Sequence, residues 1–317
     1  MSFDYLFFPP KAVGALADAH LRKPFDRVIA ANPPDSLLVS ANFAGALLRV
    51  RVVNDFHDPF VELVANHYRN PLVKAVAWFS EALALATAWK VITVSPYCVQ
   101  VLRTRFPRKA VVVNNCASAS FRPSAKWRVL RRKYGKFALF SGSLIKQNGV
   151  LDFLQALDES KQFFRSRKLK AVIAGGGGLE DRVRQFIEER GLKDFVSFVG
   201  RRERAEMADW IAASEAVVVP FTESPITRIG TPNKLYEALK LGRLVIASDL
   251  PGVRSVAGEA AVYYPAGDVK KLGEALKHTL SESKQVYARK AGILSRLSKE
   301  LVWEKQEKKF VEAVAGD

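Results

Sequence analysis

The chain has 317 residues, 49% hydrophobic and 26% charged, so it can bury a sizeable core, and wholesale disorder is excluded. With 49 Lys and Arg against 32 Asp and Glu, the formal charge of +17 calls for an anionic partner: nucleic acid, an anionic membrane surface or an anionic small molecule. Two cysteines, Cys98 and Cys116, exclude a disulfide framework or a zinc site made of cysteine alone, and both are expected as small apolar groups in or near the core.

Taken in chain order, the pattern is strand then helix, repeated. Residues 3–10 read as a strand, and no basic segment followed by an apolar one marks a signal peptide, so a cytoplasmic chain is expected. Residues 26–31 form a strand ended by Asn32-Pro33-Pro34, and 36–48 a helix. Residues 49–54 form a second strand that ends at Asp55-Phe56-His57-Asp58-Pro59. A helical region follows over 60–88. The apolar-rich stretch 72–95 is interrupted by Lys74, Glu81 and Lys90 and does not read as a membrane span. Residues 90–95 are a strand, 96–106 a helix and 110–113 a strand. Such alternation predicts a parallel sheet covered on both faces.

Residues 120–136 hold Pro123 and the densest basic cluster: Lys126, Arg128, Arg131, Arg132, Lys133 and Lys136, with Trp127 and Tyr134 among them. A solvated linker and helix face is the first reading of that cluster. Anionic lipid or lipid-linked phosphate comes second, and nucleic acid last, because no nucleic-acid-reading motif accompanies it. The expected division is therefore 1–125, then 126–295, then a tail of 296–317 that crosses back to the first domain.

A second alternating series starts at strand 137–140, which ends in Ser141-Gly142-Ser143. Helix 150–157 and strand 170–174 follow, the strand ending in Gly175-Gly176-Gly177-Gly178. Helix 179–189 and strands 196–199, 216–219 and 261–264 complete the series, with a helical tail from 269. The four glycines read as a tight turn lining a pocket, since a lone Gly-x-Gly is a weak dinucleotide signature and no acidic residue follows at the required distance. In open α/β sheets, ligands bind beyond the carboxyl ends of the strands, and segments 55–58, 141–143, 175–178 and 220–231 lie there.

Residues 230–249 are the most informative stretch. Thr231 is placed to cap a helix, Pro232 to occupy its first position and Gly242 to end it, before a buried strand at 244–247. A helix N-terminus behind a loop offers free N–H groups and a positive dipole end to phosphate. Glu237, one turn in, is placed to accept hydrogen bonds from sugar hydroxyls.

These residues resemble the retaining, nucleotide-sugar-dependent glycosyltransferases of the GT-B fold, of the group 1 or family 4 type. The resemblance rests on Phe140-Ser141-Gly142-Ser143-Leu144 with Gly149-Val150, on Ala171 to Gly175, on Val196 to Gly200 and above all on Thr231-Pro232-Asn233-Lys234-Leu235-Tyr236-Glu237. Asn54 to Asp58, Val91 to Ser95 and Trp303-Glu304-Lys305 extend it over nearly the whole chain. It implies two doubly wound, Rossmann-like domains facing a cleft, with a nucleotide-diphosphate sugar as co-substrate, no metal, and a glycan or lipid-linked acceptor. By resemblance, Glu237 binds the donor ribose, and Gly142, Ser143, Gly175, Gly230, Thr231, Asn233 and Leu235 complete the donor site. His57 and Asp58 would position or deprotonate the acceptor hydroxyl.

The pattern also departs from the family. Ile229 stands where a sugar-binding Glu is usual, and Ser143 and Asn148 stand where an Arg–Lys pair neutralises the leaving diphosphate. Lys146, Arg228 and Lys234 are nearby replacements, of which Lys234 and Lys146 are favoured. The N-terminal domain reads as short for the family, as if its first βα unit were missing, which would leave room for a partner chain. Peripheral contact with an anionic inner membrane face fits the charge. Two other readings stay open: a catalytically weak or partner-dependent subunit that binds a nucleotide sugar, and a GT-B-like sugar-nucleotide epimerase.

Overall fold

Strands and helices alternate from residue 27 to residue 264, because apolar runs of a few residues are separated by longer amphipathic ones. The computed structural model of the chain describes residues 4–107 and 110–316. The chain divides into two units, one made of residues 1–114 with 306–317 and the other of residues 115–305.

In the first unit, helix α1 (Asp4–Arg22) is followed by β1 (Arg27–Ala31), α2 (Asp35–Leu48), β2 (Arg51–Phe56), α3 (Phe60–His67), α4 (Pro71–Thr87), β3 (Lys90–Thr93), α5 (Pro96–Arg103) and β4 (Val111–Val112). The four strands pair in chain order, all parallel, with Val28 opposite Val52 and Asn54 opposite Val91. Val52, Val53, Val91 and Ile92 are buried, as both-face cover requires. Of the strand expected over 3–10, residue 3 lies outside the described residues and 4–10 are instead the start of α1. Ala12, Ala15, Ala17 and Ala19 make a strong helix former downstream, and an Arg22–Asp18 pair of 2.8 Å closes its last turn.

In the second unit, α6 (Lys126–Tyr134) precedes β5 (Phe137–Ser141), α7 (Val150–Glu159), α8 (Lys161–Ser166), β6 (Lys170–Ala174), α9 (Glu180–Glu189) and β7 (Val196–Gly200). Then come α10 (Arg204–Ala213), β8 (Ala216–Val219), α11 (Pro225–Ile229), α12 (Asn233–Lys240), β9 (Leu244–Ser248), α13 (Pro251–Ala257), β10 (Ala261–Tyr264), α14 (Val269–Ser281) and α15 (Ser283–Glu300). The six strands are parallel in the order β10-β9-β8-β5-β6-β7. Every residue of β5, β8 and β9 is buried. Phe140 and Phe153 stack at 6.2 Å in this core, where each such side chain contributes about 1.5–3 kcal/mol.

The basic segment read as a linker is α6, and it belongs to the second unit. Trp127, Leu130 and Tyr134 share one helix face and pack on the core, with Tyr134 at 5.3 Å from Trp210, while Arg131 bonds the Ala213 carbonyl and Glu215. The boundary accordingly lies before Ala117 and Phe121, which are core residues, rather than at 125. Lys240 donates to the carbonyls of Ser118 and Phe121. Ala119 N–H donates to Glu304 at 2.8 Å and Trp303 N–H to the Ala117 carbonyl at 3.1 Å, so the two ends of this unit meet. The last helix, α16 (Trp303–Ala315), starts in the second unit, and its residues from Gln306 group with the first. There, Asn114 N–H donates to Gln306 at 3.1 Å and Lys90 to the Gly316 carbonyl at 2.8 Å.

Candidate functional site

Beyond the carboxyl ends of β5, β6 and β7, the second unit holds a cavity of about 730 Å³ lined by Ser141 to Ser143, Gly175 to Gly177, Arg201, Arg202 and the first turns of α12. Its wall is made of loops packed backbone on backbone. Leu144 N–H donates to the Gly176 carbonyl and Leu179 N–H to the Leu144 carbonyl, each at 3.0 Å. Glycine is required at Gly175, where a Cβ would stand 1.9 Å from the Gly142 carbonyl oxygen, and at Gly149 (φ +69°), where one would stand 1.6 Å from that of Pro220. The same glycine-bearing turns that cover the strand ends thus leave an open, rigid concavity above them.

Helix α12 supplies the charged floor. Lys234 and Glu237 are three residues apart, on one helix face. Lys234 is buried between aromatic rings, its Nζ 4.3 Å from the centroid of Phe140 and 5.8 Å from that of Phe221, and no hydrogen-bond partner reaches it. Burial pushes its amine down to about 7. Ser141 Oγ, also at the cavity, is likewise buried without a partner. An unsatisfied buried polar group costs about 1–3 kcal/mol, and two of them stand together at this cavity. Glu237 is half-buried, and burial holds its carboxyl above the usual carboxylate range, with Arg204 opposing.

The halves of the chain match two family models. Residues 135–282 match glycosyl transferases group 1, and residues 2–116 match the glycosyl transferase 4-like domain. The chain belongs to the group 1 glycosyltransferases. A curated relative, alpha-D-kanosaminyltransferase of Streptomyces kanamyceticus, is 26% identical over 159 residues, which are 48% of this chain but only 39% of that protein. Sucrose-phosphate synthase of Thermosynechococcus elongatus superposes with a TM-score of 0.77 at 18% identity, over 98% of this chain and 78% of that one. Anabaena HepE in complex with UDP gives 0.76 at 18% identity, over 95% of this chain and 80% of that one. The two parallel sheets are those of the GT-B fold, two Rossmann-like domains in one chain.

In this chain, Gly142, Ser143, Gly175, Asn233, Lys234 and Glu237 line the cavity together. Gly230, Thr231, Leu235 and Lys146 are not among its lining residues. Leu235 is fully buried in the core beside Tyr236. Thr231 does not cap α12: the helix starts at Asn233, with Pro232 at the cap position and no side-chain cap, and the Thr231 side chain bonds Tyr236 instead. Pro232 fixes an extended backbone there, so the capping position falls one residue later than expected. Lys146 is exposed on a short 3-10 turn, where its charge opposes the burial that raises the Asp152 carboxyl. Arg201, Arg202, Glu180 and Met207 also line the cavity and were not singled out, although Arg201 and Arg202 directly follow a strand end, where ligands bind.

His57 and Asp58 lie in the first unit, just beyond the carboxyl end of β2. His57 Nε2 is 3.1 Å from Asp55 Oδ2, and this bond raises the imidazole above its ordinary value. Burial raises the Asp58 carboxyl, with His57 opposing. The turn is clamped by Asn32, a residue read only as a strand terminator. Its Oδ1 accepts from His57 N–H at 2.9 Å, and its Nδ2 donates to the Asp58 carbonyl at 2.7 Å and to Asp35 at 2.9 Å. Asp35 is fully buried, and burial together with nearby Glu81 keeps its carboxyl well above the carboxylate range. Among the described residues, no group of three or more His, Cys, Asp and Glu is gathered as a metal ion would need.

Proposed function

We propose that this chain transfers a glycosyl group from a nucleoside-diphosphate sugar to a hydroxyl acceptor, with retention of configuration, and that the second unit holds the donor. The observation that carries the reading is the buried, partnerless Lys234 beside Glu237 on one face of α12. A diphosphate supplies the acceptor oxygens that Lys234 Nζ lacks, and a ribose diol supplies two donors to the Glu237 carboxylate. Transfer builds negative charge on the departing phosphate, and a cation already fixed against that oxygen lowers the barrier without reorganisation. UDP and UDP-glucose are bound in structures of the similar HepE protein, which favours a donor of this class here. The acceptor hydroxyl is assigned to His57 and Asp58, whose raised imidazole and carboxyl suit proton transfer.

Differential scanning calorimetry with UDP, GDP, ADP and dTDP at millimolar concentration tests the donor site. At least one is expected to raise the melting temperature by on the order of 5 °C. Glu237→Ala is expected to remove most of that rise. A flat response to every nucleoside diphosphate would sink the reading.

A further inference from the structure

Helices α2 and α4 of the first unit carry an apolar outer face that the sheet does not use. On α4, Leu72, Val76 and Phe79 recur at helical spacing and are 74%, 69% and 64% exposed, while Ala77, Glu81, Ala84 and Leu85 on the opposite side are buried. Trp78 and, just before the helix, Tyr68 are exposed beside them. Asn42 of α2 donates to the Ala84 carbonyl at 3.1 Å and to Thr87 at 2.9 Å, so the two helices lie side by side, and α2 adds the exposed Phe43 and Leu47. Scattered exposed apolar residues are ordinary, but a stripe of this kind on adjacent helices marks an interaction surface.

Charge decides among the occupants. The acidic residues of α2 and α4 are Asp35 and Glu81, and both are fully buried. The exposed charges at the ends of these helices are Arg49 and Arg69, both cationic. Lys74 is half-buried on the inner side of α4, and α1, packed beside α2, carries an exposed Asp18 paired with Arg22. An apolar stripe with Trp, Tyr and Phe near it, exposed cations at its ends and no exposed acid on either of its two helices matches the interface of an anionic bilayer. Apolar side chains sink below the headgroups, aromatic side chains sit among them and cations meet the phosphates. No helix among the described residues is long and apolar enough to cross a membrane, so the contact is one of lying on the surface. We propose that the α2–α4 face docks this chain on an anionic lipid surface.

The test uses the full chain and vesicles of phosphatidylcholine with roughly one-third phosphatidylglycerol, compared with phosphatidylcholine alone. The chain is expected to sediment with the anionic vesicles, with a blue shift of tryptophan emission, and to be loosened but not released by high salt. The double substitution Val76→Ser, Phe79→Ser is expected to weaken this binding about tenfold or more while leaving the melting temperature unchanged. Charge reversal on α6, Lys126→Glu with Arg132→Glu, is expected to leave the effect of that double substitution intact. Three results overturn the proposal: no sedimentation at low salt, equal binding by the double variant, or loss of all binding on reversing α6 alone. A soluble dimer that the double substitution dissolves also overturns it, by assigning the face to a second copy of the chain.

Discussion

The two units bury their apolar residues very differently. Of thirteen exposed large hydrophobic side chains among the described residues, eleven belong to the first unit, which has the smaller share of the chain. The second unit keeps three strands wholly buried and exposes only Val129 and Ile145 of this class. Two of its six described buried polar atoms without a partner, Lys234 Nζ and Ser141 Oγ, stand at one cavity. The proposed donor would complete that cavity, and the proposed lipid surface would cover the exposed apolar face of the first unit. The chain's high positive charge is consistent with both, since a diphosphate and an anionic lipid surface are each negative.

The sharpest way to break this contrast is through packing. Phe153→Ala removes a fully buried ring stacked on Phe140 and is expected to destabilise by about 3–5 kcal/mol in urea titration. The exposed Val76→Ser is expected to change stability by less than about 0.5 kcal/mol, and a comparable loss there would show that the α4 stripe is core after all. Lys234→Met should act in the opposite sense, stabilising by roughly 1–3 kcal/mol near neutral pH while abolishing the nucleotide-induced rise in melting temperature. The sign follows from the depressed amine. Between about 7 and its ordinary 10.5, the unfolded chain holds a proton that the folded one lacks, so stability climbs with pH across that window. Lys234→Met is expected to flatten this climb. The same amine sets the pH dependence of affinity. A bound diphosphate is expected to restore the proton, so nucleotide affinity is expected to fall up to about tenfold per pH unit above 7, measured by calorimetry.

Much of this was readable from the residues. Short apolar runs such as 137–140, 170–174 and 244–247 are buried strands, because nothing but a two-sided core accommodates them. The cavity lining Gly142, Ser143, Gly175, Asn233, Lys234 and Glu237 followed from their positions at strand ends and at one helix start. What escaped was set at long range. Nothing local to Lys234 tells that Phe140 and Phe221 enclose it, so its charge could be read but not its burial. Asn32 looked like punctuation before two prolines, since its partners at 57 and 58 come from another strand end. Helix α6 was hidden by its five cations, although Trp127, Leu130 and Tyr134 already had helical spacing. The start of α1 was misread because Pro9 and Pro10 with an aromatic run outweighed the alanines that follow.

The hydrogen bonds among Ala117, Ala119, Trp303 and Glu304 bring the first and last residues of the second unit into contact. Lys240, at the far end of the helix that carries Lys234 and Glu237, reaches the same spot through Ser118 and Phe121. The second unit is thus a closed loop of chain with a single stem. In evolutionary terms such a unit is a cassette, which can be exchanged between hosts at two adjacent cuts. Its stem doubles as the footing of α12, so an exchange that keeps the stem also keeps that helix anchored.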